Sequence, residues 1–433
     1  MTVHVLGEYQ TRVVPWPQPS PADRRLGQAI DANRRRLQIR WLADGQAEIT
    51  TYSWIGVVRF DKHELHIVPK ACGGNLGVLQ MLDYASGLDA VRELDAVRHL
   101  AGAGAHLRDL VCHLLTRQSD AILRRGPNRE YVTREDTLPA VRGRLLADRQ
   151  LLRRFGQLDK LECRYDEYET DTLDNQVLAA GLSLAARTAS APTVRVHARR
   201  VATDFADLCD PTCLDPTAAA TLLHYTRQNA HYRHAHYWSL LLLHGGAVED
   251  LYRAGAGRAP VFLLDMNRLF EDFVTRLVID AMAGTDVRVR PQARNTSVLI
   301  DESTGRPYGT VIPDLILTRG TRRLVIDVKY KLYDERNIDP SDLYQAFLYT
   351  QAFSHADTSP QLPTAVLVYP GDTGSGDRVL IRSSNGRPAA RVRTTAIDLH
   401  AIMPALRDPN ARIRLNETIR ATLTSDTLSD VNV

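Results

Sequence analysis

Asp314, Asp327 and Lys329 carry the side chains in this sequence best suited to chemistry. They fall within VIPDLILTRGTRRLVIDVKYKLY, Val311 to Tyr333, where two runs rich in Val, Ile and Leu flank an Arg-Gly-Thr turn. Alternation along the second run puts Val325, Asp327, Lys329 and Lys331 on one face and Leu324, Ile326, Val328 and Tyr330 on the other. Asp314 reads as the end of the first run, and a hairpin folding the two together would bring its carboxylate near that of Asp327. Two carboxylates beside an ammonium can hold a hard divalent cation and steady an attacking water. Phosphodiester hydrolysis needs both. Mg²⁺, with Mn²⁺ as a substitute, held by Asp314, Asp327 and the Val328 carbonyl would supply the Lewis acidity. Lys329 would orient the water or offset the charge that develops.

Lysine usage sharpens the choice. The chain has 54 Lys plus Arg, of which only Lys62, Lys70, Lys160, Lys329 and Lys331 are lysine. Lysines that persist against such a bias mark places where a planar guanidinium does not replace a compact ammonium. Two of them stand in the pentapeptide Asp327 to Lys331.

These side chains need elements to aim them. Met266 to Ala283 has the apolar spacing of an amphipathic helix and brings Glu271 on its flank as a further metal or water ligand. A second helix, Ser341 to Phe353 with Ser341 placed to cap it, puts Gln345 and Tyr349 one turn apart, where they could brace the site. Lys331 is a further supporting candidate, in contact with phosphate or merely closing the strand. An Asp-x-Lys on a strand is by itself more often a surface ion pair than a site. The order of parts argues for more: Glu on a helix, Asp on one apolar strand, Asp-x-Lys in the next, then a Gln-x-x-x-Tyr helix.

With 433 residues, 44% hydrophobic and 24% charged, the chain has the composition of an ordinary globular protein of two or three domains. The expected class is multidomain α+β. Residues 1–75 read as a small β-rich domain and 76–255 as mainly helical, with the Gly- and Ala-rich stretch 245–260 as a linker. Residues 256–433 read as an α/β domain with a mixed sheet, from strands near 286–289, 296–300, 365–369 and 379–383 beside the hairpin. The acidic segment Glu162 to Asn175 is expected to cap the next helix and pair with arginines. Cys209 and Cys213 with His224, His231, His234 and His236 lack the second tight pair of a zinc site.

The net charge of +3 is too small to mark a nucleic-acid binder by itself. Five irregularly spaced cysteines do not make a disulfide framework. The richest apolar run, Trp238 to Leu243, is much too short to cross a membrane, and the first residues do not have the pattern of a secretory signal. The expectation is a cytoplasmic protein with no membrane partner.

The helix MNRLFEDFV, the IPD and DVKYK strands and the DLYQAFLYTQAF helix resemble the PD-(D/E)XK nuclease domain of the McrC family, the nuclease subunit of modification-dependent McrBC restriction systems. Upstream, WIGVVRF with HIVPK, Val141 to Arg144, and CRYDEYETDTLDNQVL are similar to segments preceding that nuclease, whereas residues 1–50 match nothing convincingly. The resemblance implies a restriction-endonuclease-like fold for residues 256–433, with Asp314, Asp327, Lys329 and Glu271 as catalytic residues. It also implies that residues 76–255 dock on a hexameric McrB-like AAA+ GTPase and stimulate it, and that the substrate is methylated double-stranded DNA. The sequence has no G-x-x-x-x-G-K-S/T of its own, so nucleotide-driven movement falls to a partner. Two other functions fit the same residues: a stand-alone nuclease of repair or recombination, and a non-cleaving adaptor that activates an AAA+ motor.

Overall fold

The computed structural model describes residues 1–31, 36–88, 94–157, 159–212, 214–245, 261–331, 338–353, 362–372 and 376–424. The chain divides into two compact units, one of residues 1–98 with 263–433 and one of residues 99–262. The linker expected at 245–260 lies outside the described residues from 246 onward.

The first segment runs β1 (Thr2–Gly7), β2 (Thr11–Pro15), α1 (Pro21–Asp31), β3 (Leu37–Trp41), β4 (Gln46–Thr51), β5 (Trp54–Arg59), β6 (His63–Val68), α2 (Gly74–Ser86) and α3 (Leu94–Gly102). The alternation expected here holds in β4, where Ala47, Ile49 and Thr51 are buried and the residues between them are not. Helix α1 departs from the β-rich reading. Ser20 and Asp23 exchange side-chain and backbone hydrogen bonds at its start, a capping box, and Leu26 and Ile30 turn one face inward.

The second unit contains α4 (Leu107–Arg125), β7 (Glu130–Leu138), β8 (Arg144–Leu145), α5 (Ala147–Arg154), β9 (Leu161–Glu169), α6 (Leu173–Thr188), α7 (Pro192–Ala206), α8 (Pro216–Leu222) and α9 (Arg233–Gly245). Helices α4, α6, α7 and α9 bury Leu110, Leu182, Phe205 and Trp238 among one another. The acidic segment is mostly strand rather than cap: β9 carries it between β7 and β8, while Thr172 caps α6. Its expected pairing with arginines holds, as Glu162 meets Arg154, Glu167 meets Arg142 and Glu169 meets Arg134. Cys209 is buried with its thiol on the Phe205 carbonyl, and Cys213 lies outside the described residues.

The remainder of the first unit runs β10 (Val261–Asp265), α10 (Met266–Met282), β11 (Arg288–Pro291), β12 (Asn295–Ile300), β13 (Pro307–Val311), β14 (Leu315–Arg319), β15 (Arg322–Val328), α11 (Pro340–Phe353), β16 (Thr364–Pro370), β17 (Arg378–Arg382), β18 (Pro388–Ile397), α12 (Leu399–Ala405) and α13 (Pro409–Thr424). The expected mixed sheet is present in the order β11-β14-β15-β16-β18-β17, with β15, β16 and β18 parallel and the outer pairs antiparallel. Ile316, Val325, Ala365, Leu367 and Val392 on one face pack against Ala346, Tyr349 and Phe353 of α11. On the other, Tyr330 reaches Phe270 of α10. Among the described residues no helix is long and apolar enough to cross a membrane.

Helices α6 and α9 of the second unit approach where one position admits no side chain. A Cβ on Gly181 of α6 would stand 2.0 Å from Ser239 Oγ and 3.1 Å from Ser239 Cα on α9. Gly181→Ala is therefore expected to force these helices apart and cost about 1–3 kcal/mol, measured as a lower urea midpoint; an unchanged midpoint would show that the helices yield freely.

Candidate active site

The hairpin forms, with a correction to its first strand. Val311 ends β13, and β14 begins only at Leu315. The interruption lies at Ile312-Pro313, where proline has no N–H to give a ladder. Asp314 thus precedes its strand instead of ending it. The antiparallel register pairs Leu315 with Ile326, so one step further along Asp314 faces Asp327 at the open end of the hairpin.

The two carboxyls differ in their support. Asp314 Oδ2 accepts the Val328 N–H at 2.6 Å. Asp327 is 1% exposed, and its Oδ2 forms an ion pair with Lys329 Nζ at 2.9 Å. Burial, then repulsion by Asp327, pushes the Asp314 carboxyl up to about 7. Burial raises Asp327 as well, against the pull of Lys329. Such a pair titrates as a unit, because neither member can ionise without opposing the other. Lys329 answers both. Burial works to lower its pKa, but Asp327, with Asp342 and Asp314 behind it, outweighs burial and keeps the ammonium charged.

Helix α11 holds that ammonium in place. Lys329 Nζ donates to Gln345 Oε1 at 2.9 Å, Gln345 Nε2 donates to Tyr349 Oη at 2.6 Å, and Tyr349 Oη donates to the Ile312 carbonyl at 2.9 Å. The relay begins one residue past β15 and ends two residues before Asp314. One face of one helix therefore ties both ends of the hairpin together. The i, i+4 spacing of Gln345 and Tyr349 is what makes the relay continuous.

The other sequence candidates are placed differently. Glu271 is close enough for its charge to raise Asp314, but its Oε1 accepts from Gln292 Nε2 at 3.0 Å. Val328 is seen using its N–H on Asp314. Lys331 turns away to Asp342, 2.7 Å from its Oδ2. Asp342, buried in the first turn of α11, also acts on Asp327 and Lys329; in the sequence it looks like an ordinary helix-start acid.

Sequence reasoning missed Gln292 altogether. It sits at φ 44°, a left-handed conformation that a non-glycine residue adopts at a cost, while its N–H donates to the Asp314 carbonyl at 2.8 Å. One strained residue thus ties Glu271 to the backbone of Asp314. It also missed Glu8, whose Oε2 accepts from Tyr330 Oη at 2.9 Å and from the Lys70 N–H at 3.0 Å.

The donor set fits a divalent cation. Two mutually repelling carboxyls, one of them almost fully buried, are relieved by a cation between them. Among the described residues no three His, Cys, Asp or Glu are grouped so as to hold a metal ion between them. Mg²⁺ is ordinarily held by one or two carboxylates, completing its octahedron with water and substrate oxygens.

A family model described as "McrBC 5-methylcytosine restriction system component" matches residues 49–370. The chain belongs to that family. The resemblance read from the sequence is borne out at that level. In fold the chain is similar to a chain of the refined half-complex from a tetradecameric assembly of Thermococcus gammatolerans McrB AAA+ hexamers with bound McrC. That match has a TM-score of 0.63 and 19% identity and covers 97% of this chain and 100% of the other. A chain from the cryo-EM structure of the Thermococcus gammatolerans McrBC complex aligns over 65% of this chain and 88% of its own, at 21% identity and a TM-score of 0.47. Comparison with curated protein sequences returns no match.

The carboxylate pair has a cost that pH exposes. In the unfolded chain Asp314 ionises near the usual value of 3.8, and in the fold near 7. Between these values the folded state holds the extra proton, so stability falls as pH rises through the window and the loss is complete above it. Asp314→Asn is expected to stabilise the chain, in chelator, by about 1–3 kcal/mol at pH 8 and by little at pH 4. Denaturant unfolding at the two pH values checks this, and an equal gain at both would refute it.

Proposed function

We propose that this chain is the Mg²⁺-dependent endonuclease subunit of a McrBC-like restriction system. In this reading residues 256–433 are a PD-(D/E)XK nuclease domain that cuts methylated foreign DNA in concert with a hexameric McrB-like AAA+ GTPase. The chain stimulates that partner's hydrolysis. The observation that carries the proposal is the pairing of Asp314 and Asp327 beside an ammonium that is charged, half-buried and fixed by Gln345. Membership of the McrBC family supports the setting.

Asp314 and Asp327 would hold the cation, with Glu271 reaching it directly or through water and the Val328 carbonyl as a further ligand; Mn²⁺ would serve in place of Mg²⁺. When bound, the metal supplies Lewis acidity and a water of lowered pKa. Lys329 presents its ammonium where charge builds on the phosphate oxygens, and needs no reorganisation because Gln345 already fixes it. Tyr349 keeps the Gln345 amide oxygen turned to Lys329 by taking up its NH₂. Asp342 occupies Lys331, so that Lys329 alone faces the carboxylates.

The helical unit offers a surface for the partner. Leu151 is 61% exposed, Leu152 86% and Phe155 82%, apolar side chains at one end of the β7-β9-β8 sheet with nothing over them among the described residues. Exposed apolar groups of this size are a mark of an interaction surface. Base recognition and DNA movement by the partner would leave this chain needing only phosphate contacts, in keeping with its net charge of +3.

Asp327→Ala is expected to reduce cleavage by roughly 10³-fold while leaving stimulation of the partner's GTPase intact, and chelation of Mg²⁺ should stop cleavage by the unaltered chain. Cleavage assays on methylated duplexes, run beside phosphate-release assays, make the separation. Loss of both activities, or of neither, would reject it, and full cleavage without any GTPase would favour a stand-alone nuclease.

A further inference from the structure

The face of the sheet that carries Asp314 and Asp327 continues to the edge strand β11, and what it meets there is a pair of arginines. In the β11–β14 register Arg290 lies opposite Ile316 and Arg288 opposite Thr318. Directly paired residues share a face, and Ile316 pairs in turn with Val325, two residues before Asp327. Arg290 is therefore one strand over and two residues along from Asp314, with Arg288 another two residues out on the same line. Both are exposed, and among the described residues neither has a carboxylate partner. The neighbouring Arg319, by contrast, is occupied by Asp286 at 2.7 Å.

Charge on an edge strand also guards it against pairing with other chains. The opposite edge, β17, carries the same guard in Arg378 and Arg382. Only β11 puts its arginines beside the carboxylate pair. An unneutralised guanidinium near two acids that already repel each other is suited to an anion presented to both, and the strand repeat of about 6.8 Å between alternate residues spaces the two for successive groups on an extended polyanion.

We propose that Arg288 and Arg290 form a track for the backbone of the DNA strand that enters the site, binding its phosphates without reading its bases. This rests on the nuclease reading of Asp314 and Asp327. A single line of cations leading to a cutting site fixes the direction from which the strand arrives, with Gln292 and Asp314 next along the path.

The test uses the full chain with Asp327→Ala to prevent cutting, and fluorescence anisotropy of a labelled duplex over a range of salt. Adding Arg288→Ala and Arg290→Ala should weaken binding about tenfold at low salt and lower the slope of log affinity against log salt by about two, equally for unrelated sequences. Arg382→Ala on β17 should leave both unchanged. Mn²⁺ affinity without DNA, measured with Asp327 intact, should not differ between the Arg288→Ala/Arg290→Ala chain and the unaltered one, which separates lost phosphate contacts from a collapsed site. An unaltered slope, an equal effect of Arg382→Ala, or no DNA binding by the parent would overturn the track. Binding through these arginines by a chain that does not cleave in Mg²⁺ would uphold the track and sink the nuclease reading. Cleavage with undiminished binding by the double variant would do the reverse.

Discussion

Two carboxyls held face to face, in surroundings that favour ionisation of neither, are the constraint on which the rest of the site depends. The β14–β15 hairpin sets them opposite each other, and burial keeps water from screening them. Left alone, such a pair would protonate or drive the strands apart. It is held by a backbone N–H from Val328 to one carboxyl, the Lys329 ammonium against the other, and a helix that fixes the ammonium. The remaining strain is of the kind a cation removes. Stability is given up at this pair as pH rises and Asp314 loses its proton.

The framework explains why the hairpin cannot relax. On one face α11 buries Ala346, Tyr349 and Phe353 against the sheet, so the helix that bears Gln345 is also part of the core. On the other, Tyr330 is clamped between Phe270 and Glu8. Glu8 is itself pushed up to about 7, by burial first. Lys329 stands between these anchors, one residue from Tyr330, with its backbone N–H on the Val368 carbonyl. Residues at the start of the chain thus help to seat the strand that carries Asp327.

Much of this was legible in the sequence because it rests on periodicity. Alternation separated Asp327 and Lys329 from Val328 and Tyr330, and helical spacing set Gln345 above Tyr349. The mixed sheet followed from the order of apolar runs. What escaped depends on contacts between distant segments or on backbone conformation. Nothing in RVRPQAR announces that Gln292 will take a left-handed conformation to tie Glu271 to Asp314. Glu8 and Tyr330 are 322 residues apart. Pro313 did carry a readable signal, since it cannot pair within a strand, and it places Asp314 before β14. The acidic run at Glu162 to Asn175 misled for a different reason. Its arginine partners lie on adjacent elements, and their ladders favour a strand over the local preference of its acids for a helix start.

The central claim, that Asp314 and Asp327 are set together to hold a divalent cation, is tested most directly by calorimetric titration of the DNA-free chain with Mn²⁺ near pH 6.5. Binding is expected with release of protons to the buffer, since the metal displaces what the pair retains at that pH, and it should be lost in both Asp314→Asn and Asp327→Ala. Mn²⁺ binding of undiminished strength in either variant would contradict it.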